Sequence, residues 1–439
     1  MWVPARRSSL SWPSSVRAGL ESFISPPTPR KHNGSVTEYS SWPMAGSSPI
    51  CRHRLMRTRS LQQQEEHMSE LVARRASVSQ IGALGRFFGA GGLGGPIIML
   101  VVLVGLLWFL SDGVFLSQNN LVNILRQFSV PLILAMGQTL VIITAGIDLS
   151  VASTAALSAC VMGIMYTQIG LGGWLAVLLG VLTGLLVGLI NGFVITKWRV
   201  PDFVATLGAY TAVRGVALLI TDGYPIPNHG VAIPGRTMPE VVQTLGSQSL
   251  GPIPIIAIVA VVLVLATWVV LNRTTLGRRL IAAGGNAEAA RVAGINVQAT
   301  KIYAYLIAGG FAAIGGILMA GRLDSANGLM APAMELTTIA AVVLGGTALA
   351  GGEGRVGGTV IGVAILASLA NGLNILGVSS FWQDVATGVV LVLVVALDQF
   401  RRRLSGKRNR AGAAPPADTQ MGTTAGGGAA DQPVDNGAR

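Results

Sequence analysis

Ile255-Ile256-Ala257-Ile258-Val259-Ala260-Val261-Val262-Leu263-Val264-Leu265-Ala266-Thr267-Trp268-Val269-Val270-Leu271 is an uncharged, almost wholly apolar run, and with Pro252 to Pro254 before it the stretch extends over 252–271. A helix crosses the roughly 30 Å of bilayer hydrocarbon in about 20 residues. Backbone groups at that depth must pair within their own segment, so such a run is read as a spanning helix. Comparable blocks cover 95–110, 129–146, 149–168, 173–195, 200–220, 302–321, 337–352, 357–376 and 384–400. The sequence thus predicts an all-α polytopic membrane protein with about ten transmembrane helices. Composition agrees: the 439 residues are 51% hydrophobic and 11% charged, with mean hydropathy +0.60. Soluble domains carry about 25% charged residues.

The net charge of +12 comes from 31 basic and 19 acidic residues. In a soluble chain it would suggest nucleic acid. Here the basic residues gather at the ends and in one loop between spans, and the 6% of aromatic residues form no stacking motif. No nucleic acid is expected as a partner. Basic loops mark the cytoplasmic side instead. If the chain starts inside, the ten spans leave the N- and C-termini cytoplasmic, and the basic residues fall correctly. Lys197 and Arg199 follow the fourth span, Arg273, Arg278, Arg279, Arg291 and Lys301 lie in the 272–301 loop, and Arg401 to Arg403 follow the tenth. The outward 221–251 loop has Arg236 against Asp222 and Glu240.

Cys51 and Cys160 show no metal-type spacing, and His32, His53, His67 and His229 form no ligand cluster. A phosphate-cradling P-loop ends in Lys followed by Ser or Thr. The lysines here, Lys31, Lys197, Lys301 and Lys407, are followed by His32, Trp198, Ile302 and Arg408. No catalytic residue, metal or bound cofactor is expected, and nucleotide-driven work must come from another chain.

Residues 1–67 are rich in Ser, Pro and Arg and lack the apolar core of a signal peptide. They read either as a disordered leader or as upstream sequence translated from a start assigned too early. Met68 opens a basic cytoplasmic segment, 68–94, with Arg74, Arg75 and Arg86. The transmembrane domain spans 95–403, and the Gly/Ala/Pro-rich tail 404–439 reads as disordered.

Within the 272–301 loop, Asn286-Ala287-Glu288-Ala289-Ala290-Arg291-Val292-Ala293-Gly294 is marked as a short helix at both ends. Asn286 suits the N-cap, Glu288 and Arg291 suit the helix dipole, and Gly294 suits a left-handed C′ position. Two turns are unstable alone in water, so the helix docks either on its own membrane domain or on a cytoplasmic partner. Glu288-Ala289-Ala290 followed by Gly294 resembles the coupling motif of ABC-transporter permease subunits. Met136-Gly137-Gln138-Thr139-Leu140-Val141-Ile142-Ile143-Thr144-Ala145-Gly146-Ile147-Asp148-Leu149-Ser150-Val151 resembles the signature of the ribose-type sugar permeases. So do Asn191-Gly192, Val200-Pro201-Asp202-Phe203-Val204-Ala205-Thr206-Leu207-Gly208 and Gly284-Gly285-Asn286. Asp202 departs from the family pattern, which more often has proline or an uncharged residue there.

The resemblance covers about residues 95–403. It implies a dimeric, multi-pass permease in the bacterial inner membrane, surrounded by lipid. A cytoplasmic ATPase subunit using ATP and Mg would drive it, and a periplasmic sugar-binding protein would feed it. ATPase coupling then falls to Asn286, Glu288, Ala289, Ala290, Arg291 and Gly294.

The signature also has a reading of its own. Gly137, Gln138, Gly146, Asp148, Leu149 and Ser150 lie around a tight reversal between two spans. Gly146 permits unusual backbone angles, and Asp148 is expected to serve as turn and cap of the next helix, in preference to a direct transport role, at the membrane boundary, because a carboxylate at depth costs about 2.5–3.5 kcal/mol. Gly146 to Thr154 aligns with Gly351 to Thr359 at a constant offset of 205 residues, matching the acid, the valine and the threonine. This suggests an internal repeat. Polar residues within spans are mainly uncharged: Gln138, Thr139, Thr144, Asn191, Thr206, Asn371 and Asn374. Singly, each reads as a helix-helix hydrogen bond. Together with Arg214, the set Gln138, Thr139, Asn191, Thr206 and Asn371 suits a path for a neutral, hydroxyl-rich solute. Arg214 itself either snorkels to the outer surface, the preferred reading, or faces the bundle interior.

Three function classes compete. A secondary transporter would need ionisable residues deep in its spans, and these are nearly absent. An intramembrane enzyme would need a catalytic constellation there, and none is visible. The third, the membrane subunit of an ATP-driven sugar importer, is expected, with a branched-chain amino-acid permease as its rival. Expression from Met68 should preserve membrane insertion and sugar uptake; loss of either would show that residues 1–67 are required.

Overall fold

The computed structural model describes residues 93–228, 230–379, 381–383, 385–390, 392, 393 and 396. The expected leader, the 68–94 segment up to residue 92, the tail, Cys51 and all four histidines lie outside the described residues. So does part of the expected tenth span, 384–400, although its described residues are helical.

The chain begins with α1 (Gly94–Leu110), a short 3-10 turn (Val114–Leu116) and α2 (Gln118–Ile143). Then come α3 (Val151–Thr167), α4 (Gly173–Lys197), α5 (Asp202–Thr221) and α6 (Glu240–Ser247). A small hairpin of β1 (Ser249–Leu250) and β2 (Ile253–Pro254) precedes α7 (Ile255–Arg273), α8 (Thr275–Gly285) and α9 (Ala287–Val292). The series closes with α10 (Val297–Leu323), α11 (Met334–Leu344) and α12 (Val356–Ile375). By length and composition, α2, α4, α5, α7, α10 and α12 can cross a membrane, while α1, α3 and α11 are shorter apolar helices. The chain is an all-α multi-pass membrane protein.

Two expected spans have different limits. The second, 129–146, begins eleven residues earlier, at Gln118. Gln118-Asn119-Asn120 looks like loop, but Ser117 caps the helix by accepting from the Asn120 amide. Asn120 is also buried, donating to Phe115 O at 2.8 Å and Asn371 Oδ1 at 2.9 Å. The expected 337–352 span stops at Leu344, because Gly346 turns the chain at φ +88°. The 11 residues of α11 extend about 16 Å, half the hydrocarbon thickness.

At the centre of the fold α10 is packed by α2, α3 and α4. Gly180, Gly184, Gly188 and Gly192 repeat every four residues along α4, one stripe of a helix. A Cβ at Gly192 would lie 2.9 Å from Ile302 Cα, and one at Gly188 would strike the Tyr305 carbonyl. On the α2 side, a Cβ at Gly137 would lie 2.9 Å from Ala308 Cα. Such close approach of small residues holds helices together in lipid.

The loops gather at two ends. At one, the Gly352 amide donates to Ile143 O at 2.8 Å, joining the 345–355 loop to the end of α2. At the opposite end, Ile226 and Ala326 pair, and the Ile233 amide donates to Thr167 O at 2.8 Å. The two stretches matched at an offset of 205 each contain a helix start, at Val151 and at Val356. Thr139 and Thr359 meet through their hydroxyls at 2.9 Å.

Gly188→Ala should overpack the α4–α10 contact and lower stability by about 1–3 kcal/mol. Gly105 on α1 faces open space, so Gly105→Ala should leave stability unchanged or slightly raised. Thermal unfolding of both variants in detergent checks this.

Candidate functional site

The chain reverses between α2 and α3 through a knot of buried polar groups. Ala145 takes the left-handed conformation, at φ +59°, whereas Gly146 does not. The requirement at Gly146 is space: a Cβ there would lie 2.6 Å from Asp202 Oδ2 and 2.8 Å from the Tyr305 hydroxyl. Asp148 is only 2% exposed. Its Oδ1 accepts from the Ser150 amide at 2.8 Å and the Ser150 hydroxyl at 2.7 Å. The expected cap is therefore not made. Ser150 is the N-cap of α3 without a side-chain cap bond, because Asp148 instead closes a turn onto the N-cap residue. Asn191 Nδ2 then donates to Ser150 Oγ at 2.8 Å. With its nitrogen toward the Asp148 carbonyl and its oxygen toward the Asp148 amide, Gln138 clamps that backbone at 3.2 Å on each side. Leu149 is buried beside them.

Next to the reversal is a charged cluster. Lys301 Nζ lies 2.7 Å from Asp202 Oδ2 and donates to Oδ1 at 2.9 Å. The Tyr305 hydroxyl contacts Asp202 Oδ2 at 2.9 Å and Ile147 O at 3.2 Å. Thr206 Oγ1 donates to Ile147 O at 3.2 Å and Asp202 O at 2.9 Å. Asp202 is in the first turn of α5, where acidic charge is favoured. Lys301 and Tyr305 are four residues apart, on one face of α10. The cluster borders an open cavity of about 1010 Å³, whose lining includes Ala145, Arg199, Asp202, Asn286, Arg291 and Lys301.

Across that cavity stands α9. Asn286 Oδ1 accepts from the Glu288 and Ala289 amides, both at 3.0 Å. At the other end the Gly294 amide donates to Arg291 O at 3.0 Å and the Ile295 amide to Ala290 O at 2.9 Å, with Gly294 at φ +80°. These paired bonds form a Schellman motif. Only Ala290 is buried; Glu288, Ala289, Arg291 and Val292 are exposed, Val292 at 91%.

The other uncharged residues considered for a solute path have partners. Thr139 bonds Ala135 O and Thr359, Thr144 bonds Val141 O, and Asn371 bonds Asn120. Gln138, Asn191 and Thr206 meet around the reversal, Asn371 is remote from it, and Asn374 is exposed. The Arg214 guanidinium lies over the Tyr210 ring at 4.9 Å, with Nε and Nη2 buried.

Sequence reasoning missed the Asp202–Lys301–Tyr305 cluster and Glu335. The cluster left a signal, a charge on a helix start and a Lys/Tyr pair four apart. Glu335 left only its own rarity as an acid in an apolar block.

Both partners of the Asp202–Lys301 pair are under a quarter exposed, at 18% and 20%. Asp202→Ala should cost on the order of 2 kcal/mol by leaving the Lys301 ammonium without its acceptor and the Tyr305 hydroxyl with Ile147 O alone. Asp202→Ala with Lys301→Ala should recover part of that loss. Thermal unfolding of the single and double variants measures the coupling; strictly additive effects would mean the pair contributes nothing.

Residues 120–395 match the family described as branched-chain amino acid transport system / permease component. The chain is similar to ribose import permease protein RbsC of Bacillus subtilis (strain 168), 45% identical over 309 residues, covering 70% of this chain and 92% of that protein. RbsC of Escherichia coli (strain K12) is 42% identical over 309 residues, with coverages of 69% and 92%. Xylose transport system permease protein XylH of the same strain is 33% identical over 363 residues, with coverages of 70% and 92%. No solved structure gives a significant match. The family match and this near-complete coverage of the relatives place the chain in the ribose-type family of ABC-transporter permeases.

Proposed function

We propose that this chain is the membrane-spanning permease subunit of an ATP-driven importer for a monosaccharide or similar neutral polyol. The observation that carries the reading is the 92% coverage, at 45% and 42% identity, of two permeases named for ribose import. The xylose relative keeps the solute within the sugars. The family description mentions branched-chain amino acids, but the relatives do not favour that rival.

The permease is not itself catalytic. A separate ATPase consumes ATP and Mg, and a periplasmic binding protein delivers the sugar. A second permease copy or a paralogue completes the translocation path in the bacterial inner membrane, surrounded by lipid. We further assign about ten crossings with both termini cytoplasmic, following the basic loops. The shared offset of Val151 and Val356 supports an internal repeat.

Coupling to the ATPase falls to α9. Its buried Ala290 rests on the chain's own domain, while its exposed Glu288, Ala289 and Val292 form a face for a partner. Asn286 and Gly294 hold that face by capping it. Gln138, Thr139, Asn191, Thr206, Arg214 and Asn371 are assigned to the translocation path.

The test is uptake in proteoliposomes containing the permease, its ATPase and its binding protein. Labelled ribose or xylose should enter only with ATP and both partners, and the permease alone should hydrolyse no ATP. Uptake of a branched-chain amino acid with neither sugar would overturn the reading. Gly294→Val strains the left-handed position by about 1–2 kcal/mol, and Glu288→Lys reverses an exposed charge at the docking face. Both variants should insert normally yet co-purify poorly with the ATPase or uncouple it. Wild-type assembly and uptake in both would make α9 a structural element only.

A further inference from the structure

The open cavity of about 1010 Å³ at the signature end has four charged side chains in its lining: Arg199, Asp202, Arg291 and Lys301. Asp202 is already engaged, by Lys301 at 2.7 Å and by the Tyr305 hydroxyl at 2.9 Å. That ion pair is the one salt bridge among the described residues, so Arg199 and Arg291 have no carboxylate partner there. Both arginines are exposed, and they come from separate elements, the α4–α5 connection and α9. The neutral lining adds donors rather than acceptors. Oδ1 of Asn286 and of Asn296 caps a helix, which leaves their amide nitrogens as the groups available to a ligand.

Backbone strain converges on the same wall. Arg199, at φ +56°, and Ala145, at φ +59°, both belong to the lining and take the left-handed conformation. Arg199 follows Trp198, the C-cap of α4, at a position that glycine fills without strain. The chain instead carries a guanidinium there, against the steric cost of a Cβ. Strained residues of this kind cluster at ligand clamps and switches. Two unpaired guanidiniums beside free amide donors suit a ligand that is anionic and rich in acceptors. Phosphate is both, and a guanidinium fork binds two of its oxygens at once. Inorganic phosphate would fill little of the cavity, whose volume matches the upper end of the roughly 300–1,000 Å³ of small-molecule sites.

We propose that this cavity is a regulatory site for an organic phosphate monoester, bridged between Arg199 and Arg291. Bound there, the ester ties α9 to the α4–α5 connection and holds the coupling helix against its own membrane domain. Import then slows when phosphate monoesters accumulate on the α9 side, either as soluble compounds or as lipid headgroups. Arg291 gains a role apart from the docking face of Glu288, Ala289 and Val292, on the reading of α9 as the coupling helix of an importer, on which the proposal rests.

Binding is measured first on the full-length permease without its ATPase, in nanodiscs of neutral lipid, so that no P-loop contributes. Radiolabelled ribose 5-phosphate, the probe, should bind saturably and at least tenfold more tightly than inorganic phosphate. Arg199→Gly removes the guanidinium while relieving the strain, and it should weaken binding tenfold or more, as should Arg291→Gln. Arg279→Gln, which removes an exposed charge outside the lining, should leave binding within twofold. Nanodiscs containing phosphatidate separate the two sources. Displacement of the probe by this lipid, lost in Arg199→Gly, identifies a headgroup; no displacement identifies a soluble ester. In proteoliposomes of the whole transporter, the ester so identified should lower ATP-driven ribose uptake at least threefold in wild type and leave Arg199→Gly unaffected. Uptake without the ester tests the importer reading separately. Lack of saturable binding, inorganic phosphate binding as tightly, or an equal loss in Arg279→Gln would overturn the site. So would uptake that the ester leaves unchanged, which would mean that the ATPase itself covers the cavity in the assembled complex.

Discussion

In a bilayer an apolar side chain gains nothing by leaving lipid for an equally apolar interior, so α10 is held by contact rather than by exclusion of water. The contact is the glycine face of α4. With no Cβ at Gly184, Gly188 or Gly192, the two backbones approach until Tyr305, Ile302 and Gly309 of α10 rest on α4 itself. Each glycine weakens α4 as an isolated helix by about 1 kcal/mol relative to alanine. Packing against α10 offsets that cost.

The position of α10 then decides the chemistry at the signature end. Lys301 and Tyr305 project from its first turns into the space left by Gly146, where Asp202 and the Ile147 carbonyl receive them. Through Ile147 the cluster is continuous with Asp148, Ser150, Asn191 and the Gln138 clamp. The same helix is joined to α9 by four residues, 293–296. A contiguous set of packed and hydrogen-bonded groups thus runs from the exposed Glu288 to the buried Asp148. Contiguity is a physical route, and a coupling claim needs two arrangements of it.

Much of this was legible from residue patterns, and the failures are instructive. Apolar runs placed the long helices because hydrocarbon thickness and backbone satisfaction leave few options. They missed the start of α2, since Gln118-Asn119-Asn120 is polar, and what makes it helical is a cap and a partner, Asn371, 251 residues away. The caps of α9 were readable because an N-cap and a Schellman turn involve neighbours in sequence. The space required at Gly146 and the full set of partners around Asp148 were hidden for the opposite reason. Their roles depend on Asp202, Tyr305 and Asn191, which only the tertiary fold brings near. Arg214 rests on the ring of Tyr210, one turn away, a pairing that the helix-end rule did not weigh.

The ion pair between α5 and α10 also constrains how the chain is made. Asp202 is synthesised 99 residues before Lys301, so α5 reaches the membrane with its carboxylate uncompensated. Over the same interval α4 presents a notched backbone that no neighbour yet fills. Both deficits are relieved together when α10 arrives. The six apolar helices before it, α1 to α5 and α7, are therefore a waiting assembly, and α10 acts as its closing member: a ribosome stalled before residue 297 would leave a protein with the α4 notches unfilled and Asp202 unpaired.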